Sequence, residues 1–167
     1  AGRIYEELLR DTLHLNDILH NTGNIRFRTG KPEEALQLLR RVHYPNRTII
    51  RLYNDISQVF IGMEKEDSAL YYLQLAVAEN NKWNKSQKNL QHGITLRYLG
   101  DLHLKENAFD KALASYQMAI TQFTPGFDNE DPASNPVSFT GIFSYINLFY
   151  TLCNKAEAFA QIYHQDN

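Results

Sequence analysis

The side chains best equipped for covalent or metal chemistry are six histidines and one cysteine. None stands in the pattern such chemistry needs. His14 and His20 are too far out of phase to share one helical face. The chain contains no HExxH zinc motif, no paired CxxC and no glycine-rich phosphate loop. His92-Gly93 lies in a polar, helix-patterned stretch with no strand around it. Cys153 sits inside a helical run, with no histidine at a recognisable spacing, so neither reads as a nucleophile or its base. His103 lies within an apolar helical pattern and reads as a packed or hydrogen-bonded residue. The Glu33-Glu34 pair suits the first turn of a helix, where the dipole favours negative charge. The expectation is therefore a segment with no catalytic residue, no metal site and no cofactor.

The bulk properties narrow the classes further. With 43% hydrophobic and 22% charged residues and a net charge of −2, the 167-residue chain has a globular composition and no basic excess for phosphate, so nucleic acid is excluded as a partner. The longest apolar stretch, Gly141 to Cys153, falls well short of the ~20 residues a membrane span needs. The opening AGRIYEELLR is charged and amphipathic, unlike a signal peptide. A lone cysteine makes no internal disulfide and points to a reducing, cytoplasmic setting. The two glycosylation triplets, Asn46-Arg47-Thr48 and Asn84-Lys85-Ser86, are of a kind that arises by chance.

Three alanines, Ala1, Ala35 and Ala69, recur 34 residues apart, and Ala112 follows 43 residues after the third. Other residues travel with them. Leu99-Gly100 precedes Ala112, Tyr116 and Ala119. Ser57 precedes Ala69, Leu73 and Ala76. Gly23 precedes Ala35, Leu39 and Val42. Small residues at such offsets allow two helices to cross closely, and Tyr116 and Phe109 would fill the space beside them. Gly30 and Asn107 stand at the turns, where a left-handed conformation is needed. Pro32 falls early in a second helix, where its missing N–H costs little. Ala1, Tyr5 and Leu8 repeat the offsets of Ala112, Tyr116 and Ala119, so the chain is expected to open on the second helix of an earlier repeat. The nine extra residues before the last unit, with Trp83, read as lengthened helices and a longer loop, Trp83 packing against the neighbouring unit.

On these residues the chain resembles the tetratricopeptide repeat family, whose signature period is 34 residues. The resemblance implies an all-α fold, a right-handed α-solenoid of antiparallel helix pairs. The end of an earlier repeat is expected at 1–11, repeats at 16–45, 50–81 and 93–124, a loop at 124–135 and a C-terminal helix or helices at 136–164. It also implies a concave groove lined by first-helix residues. Carried onto this sequence, these are Asp17, His20, Asn24, Phe27 and Arg28, then Arg51, Asn54, Gln58 and Ile61, then Ile94, Arg97, Asp101, Leu104 and Lys105. Amide and guanidinium groups of this kind suit the backbone of an extended protein or peptide partner. Chaperone-binding members carry a Lys/Asn clamp for a terminal carboxylate. Here His20 and Asn24 stand in its place, which argues against a chaperone tail.

The C-terminal third carries a second resemblance. Pro125-Gly126-Phe127, Asn135-Pro136, Asn147-Leu148 and Lys155-Ala156-Glu157-Ala158 are similar to the end of repeat arrays that precede a CHAT domain, a caspase-like peptidase domain found mostly in bacteria. This implies a partner-binding arm, itself non-catalytic, of a cysteine peptidase whose His–Cys pair lies beyond Asn167. The alternative is a stand-alone adaptor or the peptide-sensing domain of a bacterial regulator. Asn135-Pro136 is expected to start the last helix as cap and first turn. Apolar residues spread around most of that helix, so self-association through it is expected.

Overall fold

A computed structural model describes the chain from Gly2 to Gln165 apart from Ser86, and side chains from Asp11 to His164. The described residues form seven helices and no strand. These are α1 (Gly2–Arg28), α2 (Pro32–Leu39), α3 (Thr48–Gly62), α4 (Glu66–Asn84), α5 (Leu90–Lys105), α6 (Phe109–Phe123) and α7 (Tyr145–Gln165). No helix among the described residues is long and apolar enough to cross a membrane. The chain divides into two compact units, Ala1–Leu75 and Ala76–Asn167, the division falling within α4.

One turn occurs three times. Gly30, Glu64 and Asn107 all have positive φ (77°, 56° and 57°). Around each, the same bonds recur. The N–H groups of Gly30, Glu64 and Asn107 donate to the carbonyls of Phe27, Ile61 and Leu104. Those of the next residues, Lys31, Lys65 and Ala108, donate to Arg26, Phe60 and His103. These crossed bonds satisfy the last carbonyls of the preceding helix. The following helix then starts in the same way, with Ala35, Ala69 and Ala112 donating to Lys31, Lys65 and Ala108. Glu64 takes the left-handed conformation without being glycine or asparagine, and nothing in its side-chain type announces this.

In the first unit, α1 and α2 meet where Gly23 faces Leu39; a Cβ on Gly23 would stand 2.8 Å from Leu39 Cγ. Asn16 bonds both ways with the backbone of His43, fastening the middle of α1 to the segment after α2. Ala35, Leu39, Ala69 and Leu73 are fully buried. The Tyr72 ring stacks on Phe60, joining the start of α4 to α3. The helix break expected between residues 11 and 16 does not exist, since α1 is continuous from Gly2 to Arg28. Ala1 and the side chains of Tyr5 and Leu8 lie outside the described residues.

In the second unit, α5 and α6 run antiparallel across two glycines. A Cβ on Gly100 would lie 2.5 Å from the Tyr116 ring, and one on Gly93 would lie 2.4 Å from the Phe123 ring. The His92-Gly93 dipeptide is thus a packing element, its glycine making room for Phe123. The lengthened-helix expectation holds, as α4 continues to Asn84 and only residues 85–89 separate it from α5. The side chain of Asn89 caps α5 through the His92 N–H and also bonds Asn80 of α4. Trp83 does not pack away; it is 42% exposed, and its ring N–H bonds Glu79 one turn back.

The last helix corrects a boundary. It begins at Tyr145, not at Asn135-Pro136, and Ser144 caps it through the N–H of Asn147. Asn135 does not cap a helix, since none starts before Tyr145, and its side-chain oxygen instead accepts a bond from Lys155. Gly141 turns the chain with φ 71°, and the Phe143 N–H closes onto the carbonyl of Phe123. Leu148 of α7 enters a core with Leu96, Ala119, Ile120 and Phe123, and Ala158 enters another with Ala112, Leu113 and Tyr116.

Replacing Gly100 by alanine is expected to destabilise the fold by about 1–3 kcal/mol, because the Tyr116 ring is fixed on both sides of the crossing. Gly126→Ala, at a site with open space and no positive φ, should be close to neutral. Urea unfolding followed by circular dichroism distinguishes the two.

Candidate functional site

The first unit contains a cleft of about 390 Å³ lined by Asn24, Phe27 and Arg28 of α1 and by Asp55 and Gln58 of α3. Four of its five lining residues, Asn24, Phe27, Arg28 and Gln58, are among the expected groove residues. The two helices come this close because Gly62 has no side chain; a Cβ there would lie 2.9 Å from the Phe27 ring. Arg28 and Gln58 are exposed, and their polar ends are not consumed by side-chain bonds among the described residues.

Beneath the cleft lies a hydrogen-bonded chain. Asp55 Oδ2 is 2.7 Å from His20 Nε2, accepts from Asn24 Nδ2 at 2.9 Å, and lies 3.7 Å from Arg51 Nε. His20 Nδ1 is 3.1 Å from the Tyr44 hydroxyl, which donates to Asp17 Oδ1 at 2.8 Å. Burial, and then the bond to Asp17, pushes the Tyr44 phenol well above its ordinary range, so it keeps its proton. His20 is only 2% exposed and Asn54 only 1%. Both were expected to line the groove, and neither does. His20 turns inward because Tyr44, in the connection between α2 and α3, offers a buried polar partner. Both ring nitrogens of His20 are engaged, which leaves none with which to take a proton from a nucleophile.

The remaining expected residues, Arg97, Asp101 and Lys105, belong to the second unit. Asp101 is occupied by packing partners. Its Oδ1 accepts from the Tyr116 hydroxyl of α6 at 2.9 Å and from Asn154 of α7 at 2.8 Å, while Oδ2 accepts from Arg97 at 3.2 Å. The Arg97 guanidinium also lies over the Tyr98 ring, 4.4 Å from its centre. Asp101 therefore holds three helices together rather than facing a cleft, and Arg97 is tied to it along α5. Lys105 is exposed in the last turn of α5. The Tyr116 phenol is raised by burial and by the Asp101 charge.

Residues of the second C-terminal motif converge on the 124–135 loop. Lys155 is buried, and its ammonium donates to Gln117 Oε1 at 2.7 Å, Ser134 O at 2.8 Å and Asn135 Oδ1 at 3.0 Å. The other face of the Gln117 amide donates to Asn129 O at 2.6 Å. At the start of the loop, Lys88 donates to the carbonyls of Thr124, Pro125 and Phe127 and pairs with Asp128 at 2.7 Å. Burial lowers the affinity of Lys155 for its proton, and the nearby Asp131 carboxylate opposes this. A row of α7 side chains, Ile146, Phe149, Tyr150 and Tyr163, remains exposed. The one cysteine, Cys153, is also exposed, and no group of His, Cys, Asp and Glu suited to a metal occurs among the described residues.

Comparison with protein-family models, with curated proteins and with solved structures returns no match for this chain.

Sequence pattern missed Asp55, Tyr44 and Lys155 for different reasons. Asp55 lies beside, not on, the expected groove offsets. Tyr44 sits in a connection with no periodicity. Lys155 was visible as a cation in an apolar helix, but its burial was not. Lys155→Met is expected to leave Gln117, Ser134 and Asn135 without their donor, to cost about 1–3 kcal/mol, and to accelerate amide exchange across residues 129–135. Hydrogen exchange by mass spectrometry reads the local effect directly.

Proposed function

We propose that this chain is a protein- or peptide-binding module of tetratricopeptide-like helix pairs, and that it serves as the partner-binding arm of a CHAT-type caspase-like peptidase. The observation that carries the binding reading is the α1–α3 cleft. Arg28 and Gln58 offer uncommitted polar groups there beside the apolar Phe27 ring. A guanidinium, a carboxamide and a ring together suit the carbonyls, N–H groups and side chains of an extended peptide. The thrice-repeated left-handed turn at the spacing of Gly30, Glu64 and Asn107 supports the repeat reading. The bond between Lys155 and Asn135, with Leu148 and Ala158 buried beside α6, supports treating the C-terminal motif as one structural unit. A stand-alone adaptor, or the peptide-sensing domain of a bacterial regulator, uses the same cleft without the peptidase. The exposed α7 row supports the expected self-association, with a second copy as its occupant.

Titrating mixed-sequence pentapeptides into isotope-labelled protein should shift the resonances of Asn24, Phe27, Arg28 and Gln58. Arg28→Glu should weaken binding by about tenfold or more, in line with the loss of a charge-assisted bond. Shifts confined to other surfaces, or none, would overturn the cleft as the binding site. The coding sequence downstream of Asn167 tests the second half of the proposal, because a peptidase arm requires an α/β domain with a His–Cys pair there.

A further inference from the structure

The hydrogen-bonded chain beneath the cleft contains too few protons if His20 is a neutral imidazole. Tyr44 has one hydroxyl proton and two close neighbours, Asp17 Oδ1 at 2.8 Å and His20 Nδ1 at 3.1 Å. A carboxylate only accepts, so the contact with Asp17 uses the Tyr44 proton. Tyr44 is then an acceptor toward His20, and Nδ1 must carry a hydrogen. At the other side of the ring, Nε2 stands 2.7 Å from Asp55 Oδ2, again an acceptor only, so Nε2 must carry a hydrogen as well. A neutral ring carries one. In either neutral tautomer, one of the three contacts would set two lone pairs against each other at hydrogen-bonding distance. The cluster satisfies all three only with one additional proton. The imidazole is its natural seat, being far more basic than a carboxylate. The 2.7 Å separation to Asp55 is at the short end expected of a charge-assisted N–H···O bond.

We infer that His20 is held as an imidazolium at neutral pH and acts as a positioning residue for the cleft, its second proton tying α1 to Asp55 on the cleft wall. The titratable and charged groups facing it are Asp17 on its own helix, Tyr44 from the α2–α3 connection, and Asp55 and Arg51 from α3. Without that proton either the Tyr44 or the Asp55 contact is lost. Its loss also leaves Asp55 with less positive charge around it, and Asp55 lines the cleft. The bearing of this on ligand capture rests on the peptide-binding reading above.

The ring protonation is measured without any ligand. Long-range nitrogen–proton spectra of the full chain at neutral pH should show both His20 ring nitrogens protonated. Asp17→Asn, at an exposed position, lets Tyr44 turn its hydroxyl proton toward Nδ1. It should convert His20 to the neutral Nε2–H tautomer at the same pH. Tyr44→Phe removes the competing acceptor and should give the same tautomer by a separate route. A wild-type His20 with one unprotonated nitrogen at neutral pH overturns the inference, as does an unchanged two-proton signature in both variants. An absence of peptide binding with the two-proton signature intact would sink the cleft reading and leave the protonation standing.

Discussion

The close passage of helices over residues without side chains is the constraint from which the rest follows. Gly93 and Gly100 let Phe123 and Tyr116 lie directly on the α5 backbone. With the rings seated there, the Tyr116 hydroxyl arrives at Asp101, and Asp101 in turn meets Asn154 of α7. A methyl group at Gly100 would push the ring away and separate Tyr116 from Asp101. In the first unit the same device operates twice, with Gly23 against Leu39 and Gly62 against Phe27. The second of these sets the width of the cleft. Packing of this kind tolerates little adjustment, because interiors are close-packed and a single methylene is felt.

Polar groups buried by this packing are nearly all matched, and the matches decide the architecture beyond the helices. Two lysines hold the loop between α6 and α7 by donating to carbonyl and amide oxygens, Lys88 at its start and Lys155 at its middle. A buried ammonium without a paired carboxylate is costly unless each of its protons finds an acceptor. Lys155 has three acceptors for three protons. That completeness explains how a long loop rich in Pro, Asp and Asn keeps a defined path. The His20 cluster obeys the same accounting with an opposite requirement: there the acceptors outnumber the protons of a neutral ring.

The cleft and the clamp are different uses of polar residues. In the cleft, Arg28 and Gln58 are not engaged by side-chain bonds among the described residues. At Asp101 and Lys155, the polar atoms are consumed by neighbouring helices and loops, while Arg97 is held along its own helix by Asp101 and Tyr98. Residues of one chemical class thus divide into those available to a partner and those that build the scaffold. Burial, not residue type, makes the division.

Period and side-chain size in the sequence determined the helical class, the left-handed turns at Gly30 and Asn107, and the small residues Gly23, Ala35, Ala69, Gly100 and Ala112 at crossing points. These features are local or set by steric bulk, so they are readable without coordinates. Placement of Asn24, Phe27, Arg28 and Gln58 around a cleft was also legible, through the repeat offsets. Tertiary structure alone decided that His20 and Asn54 turn inward, that Asp101 joins three helices, that Glu64 adopts the left-handed turn, and that the last helix starts at Tyr145. For His20, Asp101 and Asn135 the deciding partner is distant in sequence or outside the periodic pattern, namely Tyr44, Asn154 and Lys155. Hydrogen-bond demand between such residues has no period, and only the folded chain brings donor and acceptor to the same place.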